Sequence, residues 1–407
     1  MKRFMFFNAY LATTALLLSL GLGTPTVHAQ DAEAQAGRLV IVGGALKPEH
    51  EAIYRAFLEG VDDDTPVGVV PLASGVPERS GPLSAQDIQQ YAANPQRIFD
   101  TEIVHTKPEM AKSKKVARTL GGCSALWFTG GDQRRITANL RPAAGDTPAY
   151  AAVQSVLNNG GTVGGTSAGA AMMSEVMIRG GSSRDAMLLG PTDDDNGAGV
   201  AYGRGMGFFP YGVVDQHFLR RGRFGRLLVA LESTDTPVGF GVSENRGMAV
   251  DRSTHQITAI GPQAITVIDR RASTRNGHTR TNLRIHLLGS GDQVKGNDLT
   301  VTIAADKQPL EPHGNDIGSS IAFPEMWDRY VVAEMIKALA LNPSRPVLSD
   351  DGNFDYRMSA DAQTRFYVGS GEARLSAVGV RLDITPRGDI EQRIADRKKA
   401  LAERASQ

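Results

Sequence analysis

Cysteine is almost absent from this sequence. The 407-residue chain has one, Cys123, so no disulfide forms within it, and stability must rest on a core, which a chain of this length can build. Cys123 stands just before the apolar run "SALWFTG" and reads as a buried structural residue. An excess of either charge is also missing: 44 basic side chains balance 44 acidic ones, which argues against nucleic acid or a polybasic membrane contact as partner. No Cys/His cluster has metal-ligand spacing, so no metal is expected. "VIVGGA" at 40–45 lacks both G-x-G-x-x-G and a Walker lysine, which excludes nucleotide binding and leaves no cofactor to expect. Internal repeats are missing too. One long apolar run occurs, at the start: Lys2 and Arg3, then "LATTALLLSLGLG", then Val27 and Ala29 in the small-residue pattern of a cleavage site. Residues 1–29 read as a signal peptide cut after Ala29, implying a secreted or periplasmic protein with no stable membrane anchor after cleavage.

What is present, from 38 to about 250, is a series of short apolar runs separated by helical patterns. They are "RLVIVGGA", "PVGVVPLAS", "ALWFTGGDQ", "GTVGGTSAG", "GVVDQHF" and "PVGFGVSE". Near-continuous apolar strands with helices between them predict an α/β fold, a mostly parallel sheet covered by helices on both faces. Functional loops of such sheets gather at the strands' carboxyl ends, where the informative residues here fall. After 248 the texture changes to hairpins, then an amphipathic helix over 325–341, a closing hairpin over 364–386 and a charged terminal helix. The expected organisation is a leader (1–29), a catalytic α/β domain (30–275) and a smaller α+β extension (276–407), whose role is open between capping the site, assembly as a homodimer and contact with an insoluble substrate.

Gly165-Thr166-Ser167-Ala168-Gly169 matches G-x-S-x-G. A nucleophile on a sharp strand-to-helix turn needs small neighbours, and the apolar run before it and "AAMMS" after it supply that context. Of the seven histidines after residue 29, His217 is best placed, directly after a strand. Glu244 closes the next strand and would orient the imidazole, with Asp215 as second candidate because it shares a strand face with His217. The order Ser, His, Glu differs from that of α/β-hydrolases, whose histidine comes last. The Ala168 amide and one from the "TGGDQ" loop, Gly130 or Gly131, are candidate oxyanion donors.

"FTGGDQ", "VGGTSAGAAMM", "DQHFLRRGRFGRL" and "GFGVSEN" together resemble the signatures of the cyanophycinase family, over roughly residues 38–270. The resemblance implies a flavodoxin-like, class I amidotransferase-like sheet. It implies a serine exopeptidase, related to α-aspartyl dipeptidases, that cuts cyanophycin, a poly-aspartate with arginine on each β-carboxyl, into β-Asp-Arg dipeptides. It implies Ser167 as nucleophile, His217 as base and Glu244 as orienter, with Gln133, Asp215, Gln216, Arg221, Arg223 and Arg226 in the pocket. The residues agree with such a substrate: arginine forks suit its carboxylates and Asp215 could accept its guanidinium. Two features depart from the family: Ser243 replaces an acid before Glu244, and the loop after Glu244 is longer. The acidic stretch "GPTDDDNGAGVAYGRG" at 190–205 reads equally as a lip attracting arginine side chains or as a solvent loop. The alternatives are a related serine peptidase acting on other aspartyl peptides and an exported binding protein that keeps the scaffold.

Overall fold

Residue 42 of the first strand and residue 166 of the fifth end level with one another, and the fold is built outward from that pair. The computed structural model describes residues 37–310, 320–369 and 375–405, so the expected leader lies outside them. The first half runs β1 (Arg38–Val42), α1 (Glu51–Leu58), β2 (Val67–Val70), α2 (Pro77–Gln89), β3 (Ile98–Asp100), α3 (Glu109–Lys112), α4 (Lys114–Gly121), β4 (Ala125–Phe128), α5 (Gln133–Leu140), α6 (Pro148–Asn158) and β5 (Thr162–Thr166). These five strands lie parallel in the order β3-β2-β4-β5-β1. Alternate side chains of each strand point to opposite faces. Val40 and Val42 therefore meet Ile53 and Phe57 of α1 and Ile88 of α2 in one buried cluster, while Leu39 and Ile41 join Val153 and Leu157 of α6 in another. Apolar residues at both parities explain why these strands read as continuous apolar runs. The fold is α/β, a flavodoxin-like parallel sheet covered by helices, as expected.

The chain continues through α7 (Ala168–Ala171), β6 (Val176–Gly181), α8 (Ser183–Leu189), β7 (Val200–Arg204), β8 (Val213–Asp215), α9 (Phe224–Ser233), β9 (Val238–Val242), β10 (Gly247–Asp251), β11 (Gln256–Ile260), β12 (Ile265–Asp269), β13 (Thr274–Asn276) and β14 (Thr279–Leu288). Here the structure corrects the single-sheet expectation. β10 extends the first sheet antiparallel to β1, but β8 and β9, expected in that sheet, begin a second one. They are parallel to each other, and β12 then pairs antiparallel on the far edge of β9. The second sheet is mainly antiparallel, a distinction apolar content alone does not carry.

This second sheet also crosses the boundary expected at 275. β14 is hydrogen-bonded between β12 and the long strand Leu375–Pro386, and everything described belongs to one compact unit. One buried cluster holds Leu227 and Leu231 of α9 together with Ile336 and Leu339 of α10 (Val331–Leu341) and Val380 of the long strand. The helix expected over 325–341 begins only at 331, because Tyr330 takes a left-handed conformation (φ 63°) and the preceding turn lays Trp327 against Gly222 and Gly225.

The two sheets are also joined by a buried ion pair. Asp292, just before the strand Gln293–Lys295 of the first sheet, accepts Lys307 Nζ at 2.7 Å and the hydroxyl of Ser376, which lies in the long strand of the second. All three are buried. Removing one partner of such a pair strands a charge in the core, at a cost of about 3–5 kcal/mol. Lys307→Met is therefore expected to lower the unfolding free energy by about that amount, read as a fall in urea midpoint at unchanged slope.

Candidate active site

Three loops converge on three successive carbonyl groups. The Ser167 amide donates to Val42 O at 3.0 Å, the His217 amide to Gly43 O at 2.6 Å and the Asn245 amide to Gly44 O at 2.7 Å. The end of β1 is thus the common anchor of the nucleophile turn after β5, the histidine after β8 and the loop carrying Glu244 after β9. Neither glycine is replaceable at this spacing. A Cβ on Gly43 would lie 2.1 Å from Ser243 O, and one on Gly44 would lie 2.3 Å from His217 Nε2. The "VIVGGA" run, excluded as a nucleotide loop, has this purpose instead. Its glycines had no signal in the sequence beyond following a strand.

The turn at Ser167 is sharp. Its φ of 54° and ψ of −106° lie where side-chain-bearing residues are strained. Gly165 and Gly169 permit it, because a Cβ on Gly165 would meet Gly169 O at 2.6 Å and one on Gly169 would meet Phe128 O at 2.4 Å. Ser167 Oγ is 2.9 Å from His217 Nε2, and His217 Nδ1 is 2.6 Å from Glu244 Oε1. With Nδ1–H donating to the carboxylate, Nε2 is left to accept the serine hydroxyl. Burial holds the His217 imidazole below its ordinary pKa of 6.5, opposed by the Glu244 hydrogen bond and reinforced by Arg221 and Arg223. At neutral pH it is therefore an unprotonated acceptor, and the line Ser167-His217-Glu244 can take the serine proton. Ser243 is buried and turned away, donating to Gln263 O at 3.0 Å, so the departure there leaves Glu244 in place. After Glu244 the Asn245 amide donates to Gly44 O and the Asn245 side-chain oxygen accepts the Lys47 amide.

Gly131 lies beside Ser167 in the wall of a cleft of about 430 Å³. Its φ is +143° and a Cβ there would strike Ala73 O at 2.1 Å, so glycine is needed for the amide to stand at this point. Among the described residues neither the Gly131 nor the Ala168 amide donates to a backbone carbonyl, which leaves both for an oxyanion.

Of the pocket residues expected, Gln133, Gln216, Arg221, Arg223 and Arg226 line this cleft. Asp215 does not. It neither orients His217 nor awaits a substrate guanidinium, because Arg226 occupies both its oxygens, at 2.7 and 2.5 Å, and the pair is buried. Gln133 gives its amide N–H to Ile178 O of β6 at 2.8 Å. Arg223 is nearly buried and donates to Gln216 O at 2.7 Å, with Asp215 no nearer than 3.7 Å. Burial, then Arg226, push its guanidinium down to about 9, the mark of a cation short of a counter-charge. Gln216 Oε1 is buried without a partner. Arg134, Arg179, Asp195 and Asn196 also line the wall; of these only Asp195 and Asn196 have a pointer in the sequence, the acidic stretch at 190–205. That stretch is closed onto β6, where Gly180 makes room for Asp195 O. Among the described residues no group of three His, Cys, Asp or Glu side chains could hold a metal ion.

A curated cyanophycinase from Geminocystis herdmanii is 31% identical to this chain over 267 residues, covering 63% of this chain and 92% of the relative. The chain belongs to the cyanophycinase family. Cyanophycinases from Trichormus variabilis (28% over 287 residues, 68% of this chain and 91% of theirs) and Synechococcus elongatus (30% over 268 residues, 63% and 78%) also match. No family model matches the chain. Among solved structures, a peptidase from an acI-B1 Actinobacterium aligns over 67% of this chain and 96% of its own at 16% identity with TM-score 0.41, too distant a likeness to bear on fold or function. The cyanophycinase match leaves over a third of this chain uncovered.

Two outcomes are expected of this geometry. The rate of covalent labelling of Ser167 by a fluorophosphonate should rise with pH through a midpoint below 6.5 and be flat above neutrality, because the imidazole must lose its proton first. Glu244→Gln, which removes a charge favouring the imidazolium, should move that midpoint lower still and slow labelling by about four orders of magnitude. Gly44→Ala, in a protein that melts cooperatively, should slow it about a hundredfold through displacement of the ring alone.

Proposed function

We propose that this protein is an exported serine-type peptidase that degrades cyanophycin through an acyl-enzyme on Ser167. The single observation that carries the reading is the hydrogen-bonded line Glu244-His217-Ser167 opening into a cleft walled by Arg221 and Arg223. Similarity to proteins named cyanophycinase selects the polymer.

In this reading Ser167 Oγ attacks the scissile carbonyl carbon as its proton passes to His217 Nε2, and Glu244 stabilises the imidazolium. The Gly131 and Ala168 amides hold the oxyanion. Collapse expels the amine, which takes the proton back from His217. Water then attacks the ester by the same route, returning free Ser167 and a carboxylate. The arginine α-carboxylate of the substrate pairs with Arg223 and Arg221, supplying the charge that Arg223 lacks, since planar forks bind carboxylates with two bonds. Arg226 acts indirectly, by holding Asp215 and the start of α9. Export rests on residues 1–29 and their cleavage pattern.

The test is incubation of residues 30–407 with insoluble cyanophycin and mass analysis of soluble products. β-Asp-Arg is expected; other aspartyl peptides cleaved in its absence would favour a broader peptidase. Ser167→Ala should lose activity by several orders of magnitude. Arg223→Ala should cost about a hundredfold in kcat/KM on cyanophycin, and Arg223→Lys should recover little, because an ammonium cannot reproduce the fork.

A further inference from the structure

Arg221 and Arg223 sit on a turn whose two ends are tied within the catalytic half of the chain. At its start the His217 amide meets Gly43 O, and the Phe218 amide donates to Val242 O of β9 at 3.1 Å. At its end Ser183, the first residue of α8, donates its hydroxyl to Gly222 O and accepts the Arg226 amide at 3.2 Å. Between these ends lie one helical turn, Leu219–Arg221, and Gly222 in a left-handed conformation (φ 54°, ψ 45°). Support for this middle part comes from far along the chain. The Tyr330 amide donates to Leu219 O at 2.8 Å. Trp327 O occupies the place of a side chain on Gly222, and its indole would touch a Cβ on Gly225 at 3.0 Å.

Trp327 is itself fixed. Its indole N–H donates to Asp351 Oδ2 at 2.8 Å, and the ring meets Tyr356 edge-on with centroids 4.9 Å apart. Asp351 is buried and fully engaged. Its Oδ2 also takes the Tyr356 hydroxyl at 3.0 Å, and its Oδ1 takes the Asn353 and Phe354 amides at 2.9 and 2.8 Å. A buried carboxylate with four donors does not turn, because each bond lost would leave a charged group unsatisfied. The indole, and with it the backbone at Trp327, is therefore held from a rigid point.

We propose that Trp327, held by Asp351, is a positioning residue for recognition of the substrate carboxylate: it sets the turn that carries Arg221 and Arg223, while β1 sets His217. The inference rests on the reading that these two arginines pair with the substrate carboxylate. It divides the site in two, with the reacting groups tied to β1 and the recognition groups supported by residues 327–330. A planar fork binds a carboxylate only when both N–H directions are met, so a small displacement of the turn weakens recognition before it reaches the nucleophile.

The experiment compares a two-unit β-Asp-Arg oligomer with its counterpart in which the arginine carboxylates are primary amides. In the wild type kcat/KM should be about a hundredfold higher for the acid. Trp327→Ala should cut that preference about tenfold, through KM on the acid, and leave cleavage of the amide and fluorophosphonate labelling of Ser167 unchanged. Trp327→Phe, which refills most of the ring's space, should restore most of the preference. Where the alanine variant does not melt cooperatively, Trp327→Leu carries the same expectation. An unaltered preference, equal losses on both substrates, or a parallel fall in labelling overturns the assignment. Where the wild type cleaves neither oligomer, or both equally, the carboxylate reading falls separately and arginine modification decides the inference. Phenylglyoxal should then modify Arg223 about tenfold faster in Trp327→Ala than in the wild type, with Arg134 on α5, in the same cleft wall, unchanged; equal rates at Arg223 overturn it.

Discussion

Everything at this site hangs on the last carbonyl of β1 and the two that follow it. Val42, Gly43 and Gly44 each receive one backbone amide, from Ser167, His217 and Asn245. Those amides belong to loops leaving two different sheets, so the same three hydrogen bonds that bring nucleophile, base and carboxylate together also close the seam between the sheets. A net hydrogen bond is worth only about 1 kcal/mol, and the energy of the seam comes from the buried side chains behind it. What the bonds supply is register. All three bonded loop residues, Ser167, His217 and Asn245, have positive φ (54°, 48° and 53°). Strain of this kind persists only where the surroundings fix it, and a three-point tie to one strand end fixes it.

The sequence made part of this legible, and the reasons are specific. Ser167 was readable because its turn demands glycine at two fixed offsets, and those glycines abut Gly169 and Phe128 as that demand requires. His217 and Glu244 were readable because parallel neighbours end level: β8 and β9 pair in register. Asp215 was misread because the alternation argument gives only a face, whereas its partner, Arg226, comes from the next helix and outcompetes any ligand. Gly44 was invisible because its role is to lack a side chain opposite a residue 173 positions away. β8 and β9 are parallel to each other, as their apolar runs suggest, but such runs do not say which sheet a strand joins, so their place in the second sheet was hidden.

Charge in this protein is a local matter. The chain as a whole is balanced, yet the cleft concentrates arginines, and each is in a different state. Arg226 is spent on Asp215, Arg134 is shared between Asp132 and Asp195, and Arg221 is half exposed beside Glu244. Arg223 is the exception, nearly buried yet with only a backbone carbonyl at full hydrogen-bond distance. Screening by water weakens the exposed pairs to a few tenths of a kcal/mol, so the cation left to discriminate is Arg223.

The C-terminal third explains how such a cation is kept in place. Tyr330 donates its amide to Leu219 O at 2.8 Å, and a Cβ on Gly222 would collide with Trp327 O. Trp327 is itself held by its indole N–H on Asp351 at 2.8 Å and by the edge of Tyr356 at 4.9 Å. The turn from His217 to Arg223 is therefore clamped on one side by β1 and on the other by residues 327–330. The Arg223 guanidinium, held by Gln216 O at 2.7 Å, forms part of the cleft wall on that fixed turn. Residues 327–330 thus pack directly against the turn that leads from His217 to Arg223, so the part of the chain after 275 touches the element that carries the cleft's arginines.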